Sequence, residues 1–224
     1  MIRLHKFTLL ALAALPLLVC TVLVSKAHAA RYYRQYPPNN GYSYEDRRTG
    51  LYMGGSLGFD TPEGSSQQGM YVGFGWTFKF GFQFIPELAL EFDYHESFGN
   101  FSDYGVDGTW TFLQLPAFAI KPMIPLPSSD LYFIAGLSYD FLQNTTTNLP
   151  INGSLSSNGP GYDVGMGYEW YITPNATFGG EAIYHYYSNN TFTASGGGVS
   201  STFASNYYQD MSFTSWNLNL AYHF

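Results

Sequence analysis

Few residues of this 224-residue chain are equipped for chemistry, and their spacing limits what they can do. There are five histidines, sixteen acids and a single cysteine, Cys20. One cysteine excludes both a disulfide framework and a multi-Cys metal site. The runs His185-Tyr186-Tyr187-Ser188-Asn189 and His95-Glu96-Ser97 each set a hydroxyl near an imidazole, the pair required when His activates Ser to attack an ester. Side chains alternate along a strand, so the three-residue step from His185 to Ser188 turns the two to opposite faces. His95 and Ser97 share a face, but no Asn follows and no partner acid can be identified. His95 beside Asp93, and His185 near Glu181, would each offer two metal ligands on one strand, which is too few to close a site. Gly196-Gly197-Gly198 lacks the Lys and helix start of a phosphate loop. No catalytic residue, metal or cofactor is expected, and these groups read as interior polar residues.

The elements that carry them have period two. Leu51, Met53, Gly55, Leu57 and Phe59 form one face, against Tyr52, Gly54, Ser56, Gly58 and Asp60 on the other. The alternation recurs from Met70 to Phe80 with Gly73, Gly75, Thr77 and Lys79 on the polar face, and from Glu87 to His95 with Glu91 and Asp93 there. It returns from Leu131 to Phe141, Tyr162 to Trp170, Phe178 to Tyr186, and Trp216 to Phe224. Between Trp110 and Lys121, Pro116 and a possible bulge leave both Leu113/Leu115 and Phe112/Phe118 as candidates for the outer face. These segments make eight strands. Their greasy faces carry the large apolar residues, and the opposite faces carry glycines and carboxylates, which suits the packed, partly hydrated inside of a small membrane barrel.

Short connections near residues 81 to 86, 123 to 129 and 172 to 176 alternate with long ones at 61 to 68, 97 to 107, 143 to 158 and 189 to 209, the latter rich in Ser, Thr, Asn and Gly. That beat is the one an outer-membrane barrel requires, with short periplasmic turns, long outer loops and both termini in the periplasm. Composition agrees: 19% aromatic residues exclude disorder, 11% charged is far below the roughly 25% of soluble proteins, and a mean hydropathy of -0.10 is too polar for a helical membrane bundle. Aromatic clusters at strand ends, such as Trp76, Phe78 and Phe80 or Tyr168, Trp170 and Tyr171, suit girdles at the headgroups.

Residues 1–29 read as a signal peptide. A basic start precedes an apolar run from Phe7 to Val24, and Ala27-His28-Ala29 places cleavage between Ala29 and Ala30. Val19 stands where lipidation of Cys20 would need a small residue. Removal of the signal leaves six cations against sixteen acids, a net charge of -10 that disfavours nucleic acid. Residues 30–49, with four arginines among Tyr, Pro and Asn, read as a periplasmic tail, and 50–224 as the barrel.

The runs Leu51-Tyr52-Met53-Gly54-Gly55-Ser56-Leu57-Gly58, Leu88-Ala89-Leu90-Glu91-Phe92-Asp93-Tyr94 and Leu131-Tyr132-Phe133-Ile134-Ala135-Gly136-Leu137, with the final strand, resemble the small eight-stranded outer-membrane barrels of Gram-negative bacteria. That family includes the OmpA transmembrane domain and the OmpX and OmpW types. The resemblance implies an all-β, antiparallel, up-and-down transmembrane barrel. It also implies that Tyr222 and Phe224 form an aromatic-x-aromatic signal for the barrel assembly machinery, although Asn219 stands where the family usually has Gly. The implied partners are outer-membrane lipid and lipopolysaccharide, with an extracellular ligand at the loops. Lipid A deacylases of this shape carry His-x-Ser-Asn on a late strand, which His185 to Asn189 does not match. The function expected is non-enzymatic, structural or surface-interacting. The alternative is a narrow pore for small cations or hydrophobic solutes, and a lipid A-modifying enzyme comes third.

The inward charges expected are Lys79, Glu87, Glu91, Asp93, Asp140, Asp163, Glu169 and Glu181. A turn at residues 81 to 85 would set Lys79 across from Glu87 and leave the other acids hydrated, protonated or paired.

Overall fold

The computed structural model describes residues 49–63, 69–103, 105–126, 128–147, 153–173, 175–188, 191–197, 199–204 and 211–224. The expected signal peptide, the Ala29/Ala30 junction and all but the last residue of the tail lie outside them. Ten strands are described: β1 (Gly50–Glu63), β2 (Gly73–Ile85), β3 (Leu88–Asp103), β4 (Val106–Pro125), β5 (Ser129–Thr146), β6 (Gly153–Tyr171), β7 (Ala176–Tyr187), β8 (Thr191–Gly196), β9 (Val199–Ala204) and β10 (Met211–His223). Antiparallel pairing runs in chain order from β1 to β7, then from β7 to β10 and from β10 back to β1. Eight strands thus close a ring, and closure removes the unpaired edges that hydrocarbon cannot satisfy. β8 and β9 form a hairpin outside the ring, laid on Gly153–Asn158 of β6. That hairpin occupies part of the segment expected to be the last long loop.

One end of the ring carries the short connections from Ile85 to Leu88, from Pro125 to Ser129 and from Tyr171 to Ala176, together with Gly50 and Phe224. At the other end, strand pairing continues well into the stretches expected to be loops. β3 and β4 pair as far as Asp103 with Val106, and β5 and β6 as far as Thr145 with Ser154. These extensions lack apolar alternation because beyond a bilayer both faces of a hairpin meet water, so the hydrogen-bond ladder persists where the hydrophobic pattern stops. Strands of 12 to 20 residues exceed the roughly 9–11 needed to cross a bilayer.

The outward face is apolar: Leu57, Phe59, Phe78, Leu137, Trp216, Leu218 and Leu220 are all exposed, Leu137 by 70%. Phe59, Phe74 and Phe98 form an aromatic row toward the long-loop end, with ring centroids 6.4 and 5.8 Å apart. Phe82 with Phe84, Tyr168 with Trp170, and Tyr222 with Phe224 stand near the short-turn end.

Register departs from the sequence expectation in β2 and resolves the open phase of β4. β2 continues through Gly81, Phe82, Gln83 and Phe84 to Ile85, keeping its alternation, and turns only at Pro86-Glu87. Lys79 therefore lies opposite Asp93, not Glu87. In β4 both candidate phases occur in sequence. Trp110, Phe112 and Gln114 point inward, and a register shift between Leu115 and Phe118 then turns Ala117, Ala119 and Lys121 inward and Phe118 outward. Met70 and Val72 also precede β2 instead of opening it, and Met70 packs on Trp110 and its neighbours.

Candidate functional site: the barrel interior

The inward residues stack in three layers between the two ends. Nearest the short turns, Tyr52, Ala89, Ala119, Met123, Tyr132, Ile134 and Ile183 form an apolar cluster with ion pairs threaded through it. Lys79 Nζ donates to both carboxylate oxygens of Glu181 at 2.7 Å and stands 3.6 Å from Glu91. Lys121 Nζ is 3.7 Å from both Glu91 and Glu169 and 3.8 Å from the centre of the Tyr132 ring. The hydroxyls of Tyr52 and Tyr132 donate to Glu91 (2.7 Å) and Glu181 (3.1 Å), and Asn217 Nδ2 donates to Glu181 at 3.3 Å. The rings of Tyr52 and Tyr132 lie where a Cβ on Gly81 or Gly167 would sit, so these interior glycines are seats for aromatic side chains. The room that Gly167 leaves across from Glu181 is filled in this way.

The middle layer holds Asp60, His95, Asp163, His185 and Ser215. His185 Nδ1 donates to Asp163 Oδ1 at 2.7 Å, and its Nε2 is 2.8 Å from Ser215 Oγ. His95 Nε2 is 3.0 Å from Asp60 Oδ2, and its Nδ1 is 2.9 Å from Thr77 Oγ1. Ser215 donates its hydroxyl hydrogen to Asp60. The imidazoles stack with centroids 5.3 Å apart and planes 15° apart. Gln114 Nε2 donates to both oxygens of Asp163 at 2.9 and 3.1 Å. Above this layer Trp110, Phe112, Leu142, Tyr187, Met211 and Phe213 pack together, with Phe112 stacked on Phe213 at 4.6 Å.

Of the eight expected inward charges, seven are buried inside the ring: Lys79, Glu91, Asp93, Asp140, Asp163, Glu169 and Glu181. Glu87 is half-buried in the β2–β3 turn and does not meet Lys79, whose partner Glu181 comes from β7, across the barrel. Asp140 accepts from Ser138 Oγ at 3.0 Å. The histidines do not act with the acids beside them in the chain. His95 meets Asp60 of β1, and His185 meets Asp163 of β6.

Lys121 and Ser215 are among the interior residues that escape the sequence reading. Lys121 falls in the strand whose alternation has two candidate phases. Ser215 shares the inward parity of Asn217 and Asn219, so the β10 alternation carried two residues back would find it. Ser215, His185 and Asp163 line up as hydroxyl, imidazole and carboxylate, the order that activates a serine nucleophile. Ser215 is 0% exposed and commits its hydrogen to Asp60, so no ester can reach it and no proton passes to His185. The arrangement suits the binding of a small cation better than acyl transfer.

The sequence matches the outer membrane protein beta-barrel domain family over residues 16–224. Comparison with curated proteins found no match. Among solved structures, the fold is similar to Neisserial surface protein A (NspA) at 16% identity, covering 83% of this chain and all of that one with a TM-score of 0.56. It is similar to a major outer membrane protein of Thermus thermophilus at 18% identity, covering 78% and 99% of the two chains with a TM-score of 0.54. For OprG of Pseudomonas aeruginosa the identity is 11%, the coverage 79% and 97%, and the TM-score 0.52. At these identities the likeness extends to the fold alone.

Proposed function

Because the chain belongs to the outer membrane protein β-barrel family, whose place is the outer membrane of Gram-negative bacteria, we propose that it is a closed, non-enzymatic barrel that acts through the strand pairs and loops at its long-loop end. The observation that carries this reading is the layered interior. Lys79 with Glu181, and Phe112 with Phe213, bridge the lumen at two heights, and both pairs are buried. A solute path for small cations or hydrophobic molecules would have to break both layers. The acid-rich face from which a cation path could be argued is largely engaged by Lys79, Lys121, two tyrosines and two histidines. Enzymatic use of Ser215 is disfavoured by its burial.

In this reading the short-turn end and both termini face the periplasm, the apolar belt contacts outer-membrane lipid and lipopolysaccharide, and a ligand would meet the outer connections. There the β6–β8 extension presents hydroxyls, with Ser154 Oγ 2.7 Å from Ser195 Oγ. Tyr222 and Phe224, both exposed on the outer face, serve as the signal for the assembly machinery. Proteoliposomes carrying the refolded protein should not swell in isotonic solutions of small sugars or amino acids beyond protein-free controls. Swelling that rises with protein content would overturn the closed barrel.

A further inference from the structure

We propose that Asp60, His95 and His185 form a site for one divalent metal ion of the zinc class within the barrel, with Ser215 beside it. One ligand atom from each of the three residues lies within 4.8 Å of the others. Around a tetrahedral zinc, ligand atoms sit roughly 3.3 Å apart. His95 Nε2 and Asp60 Oδ2 at 3.0 Å are already near that separation, and the His185 imidazole has at most about 1.5 Å left to close. Two imidazoles and a carboxylate suit zinc, cobalt, nickel or copper better than magnesium or calcium.

The outer nitrogens of the imidazoles are held as metal-bound histidines require. His185 Nδ1 is fixed by Asp163, and Asp163 by Gln114. His95 Nδ1 is fixed by Thr77. A metal-ligating His nearly always donates its other ring hydrogen to a carboxylate or oxygen in this way, which leaves the remaining lone pair aimed at the ion. Here both Nε2 atoms face Asp60 and Ser215.

The ligand atoms converge in this layer: Ser215 donates its hydroxyl hydrogen to Asp60 and stands 2.8 Å from His185 Nε2, and the two imidazoles stack with centroids 5.3 Å apart. A cation among these atoms meets two imidazoles and a carboxylate at once. Gly75 forms the wall here: a Cβ on it would meet Asp60 Oδ2 and stand 3.0 Å from His95, so the glycine lets both ligand side chains lie against this strand. Because aromatic and ionic layers cover the site on both sides, the ion enters as the barrel closes.

The test uses zinc itself. The full chain is refolded in detergent with excess Zn²⁺ and then passed through gel filtration with a weak chelator. Retained zinc is measured on barrel shown to be folded by its faster gel mobility without boiling. The expected result is about one zinc per folded wild-type barrel, with at least tenfold less in His95→Gln/His185→Gln and in Asp60→Asn. Wild-type barrel that keeps no more zinc than these variants, or variants that keep as much as the wild type, would overturn the site. Should the variants fail to fold, Co²⁺ replaces Zn²⁺ on the wild type: the intense visible absorption of four-coordinate cobalt supports the site, and the spectrum of hydrated cobalt overturns it. Neither readout depends on whether the barrel conducts.

Discussion

Lys79 carries its charge into a buried layer, and Glu181 is its immediate partner at 2.7 Å. Two charges brought out of water lose several kcal/mol of hydration each, so such a pair adds little net stability but is costly to break. Removing the amine with Lys79→Met leaves Glu181 and Glu91 without their nearest cation and is expected to destabilise the barrel by about 3–5 kcal/mol. Adding Glu181→Gln should recover part of that loss, because it removes the charge left unpaired. Urea unfolding of the four proteins folded into lipid vesicles gives the coupling. A value indistinguishable from zero would show that the two side chains do not depend on one another. That Lys79 faces inward is legible from period two. Its partner is not, because Glu181 lies 102 residues away across the barrel, and no single-strand pattern encodes which inward side chains meet there. The partners of His95 and His185 are hidden in a related way: His95 meets Asp60 of β1, two strands away, and His185 meets Asp163, its register partner on β6, and register between strands is not written in either strand alone.

β4 is the element whose pattern does not reduce to one phase. Its inward set changes parity at the shift between Leu115 and Phe118, and its pairing with β3 shifts at the same height, where two residues of β4 between Gln114 and Ala117 stand against Tyr94 alone. A bulge adds a residue to one strand and turns everything beyond it to the other face. With Cys20 replaced by Ser, single-cysteine spin labels at Leu113, Phe118 and Ile120 should therefore be accessible to lipid-soluble oxygen. Labels at Phe112, Ala117 and Ala119 should be shielded. Equal accessibility at Phe112 and Phe118 would contradict the switch. The β2–β3 turn comes later than expected for a different reason: Gly81-Phe82-Gln83 has the glycine of a turn, yet Phe82 and Phe84 still alternate outward and Gly81 makes room for Tyr52. At the end away from the short turns, Ser- and Thr-rich stretches have the composition of loops although they pair as strands, because hydrogen bonding continues there without the burial that makes a strand visible in sequence.

At the scale of the whole molecule, the eight-stranded ring and its inside-out polarity follow from alternation, since a closed sheet in lipid must put apolar side chains outside and has only its lumen for polar ones. What alternation does not encode is whether the lumen is open. That depends on side-chain volumes summed across strands distant in sequence: tyrosines over glycines at one height, Phe112 on Phe213 at another, and the histidine and carboxylate layer between them. An eight-stranded ring is just wide enough for side chains to fill, and here the described side chains bridge it at two heights. The most direct test of this closed interior is the current across a planar bilayer containing the refolded protein under a salt gradient and an applied voltage. The bilayer should stay silent, apart from brief events also seen without protein. Steady single-channel conductance of reproducible size, reversing at a cation-selective potential, would contradict the account.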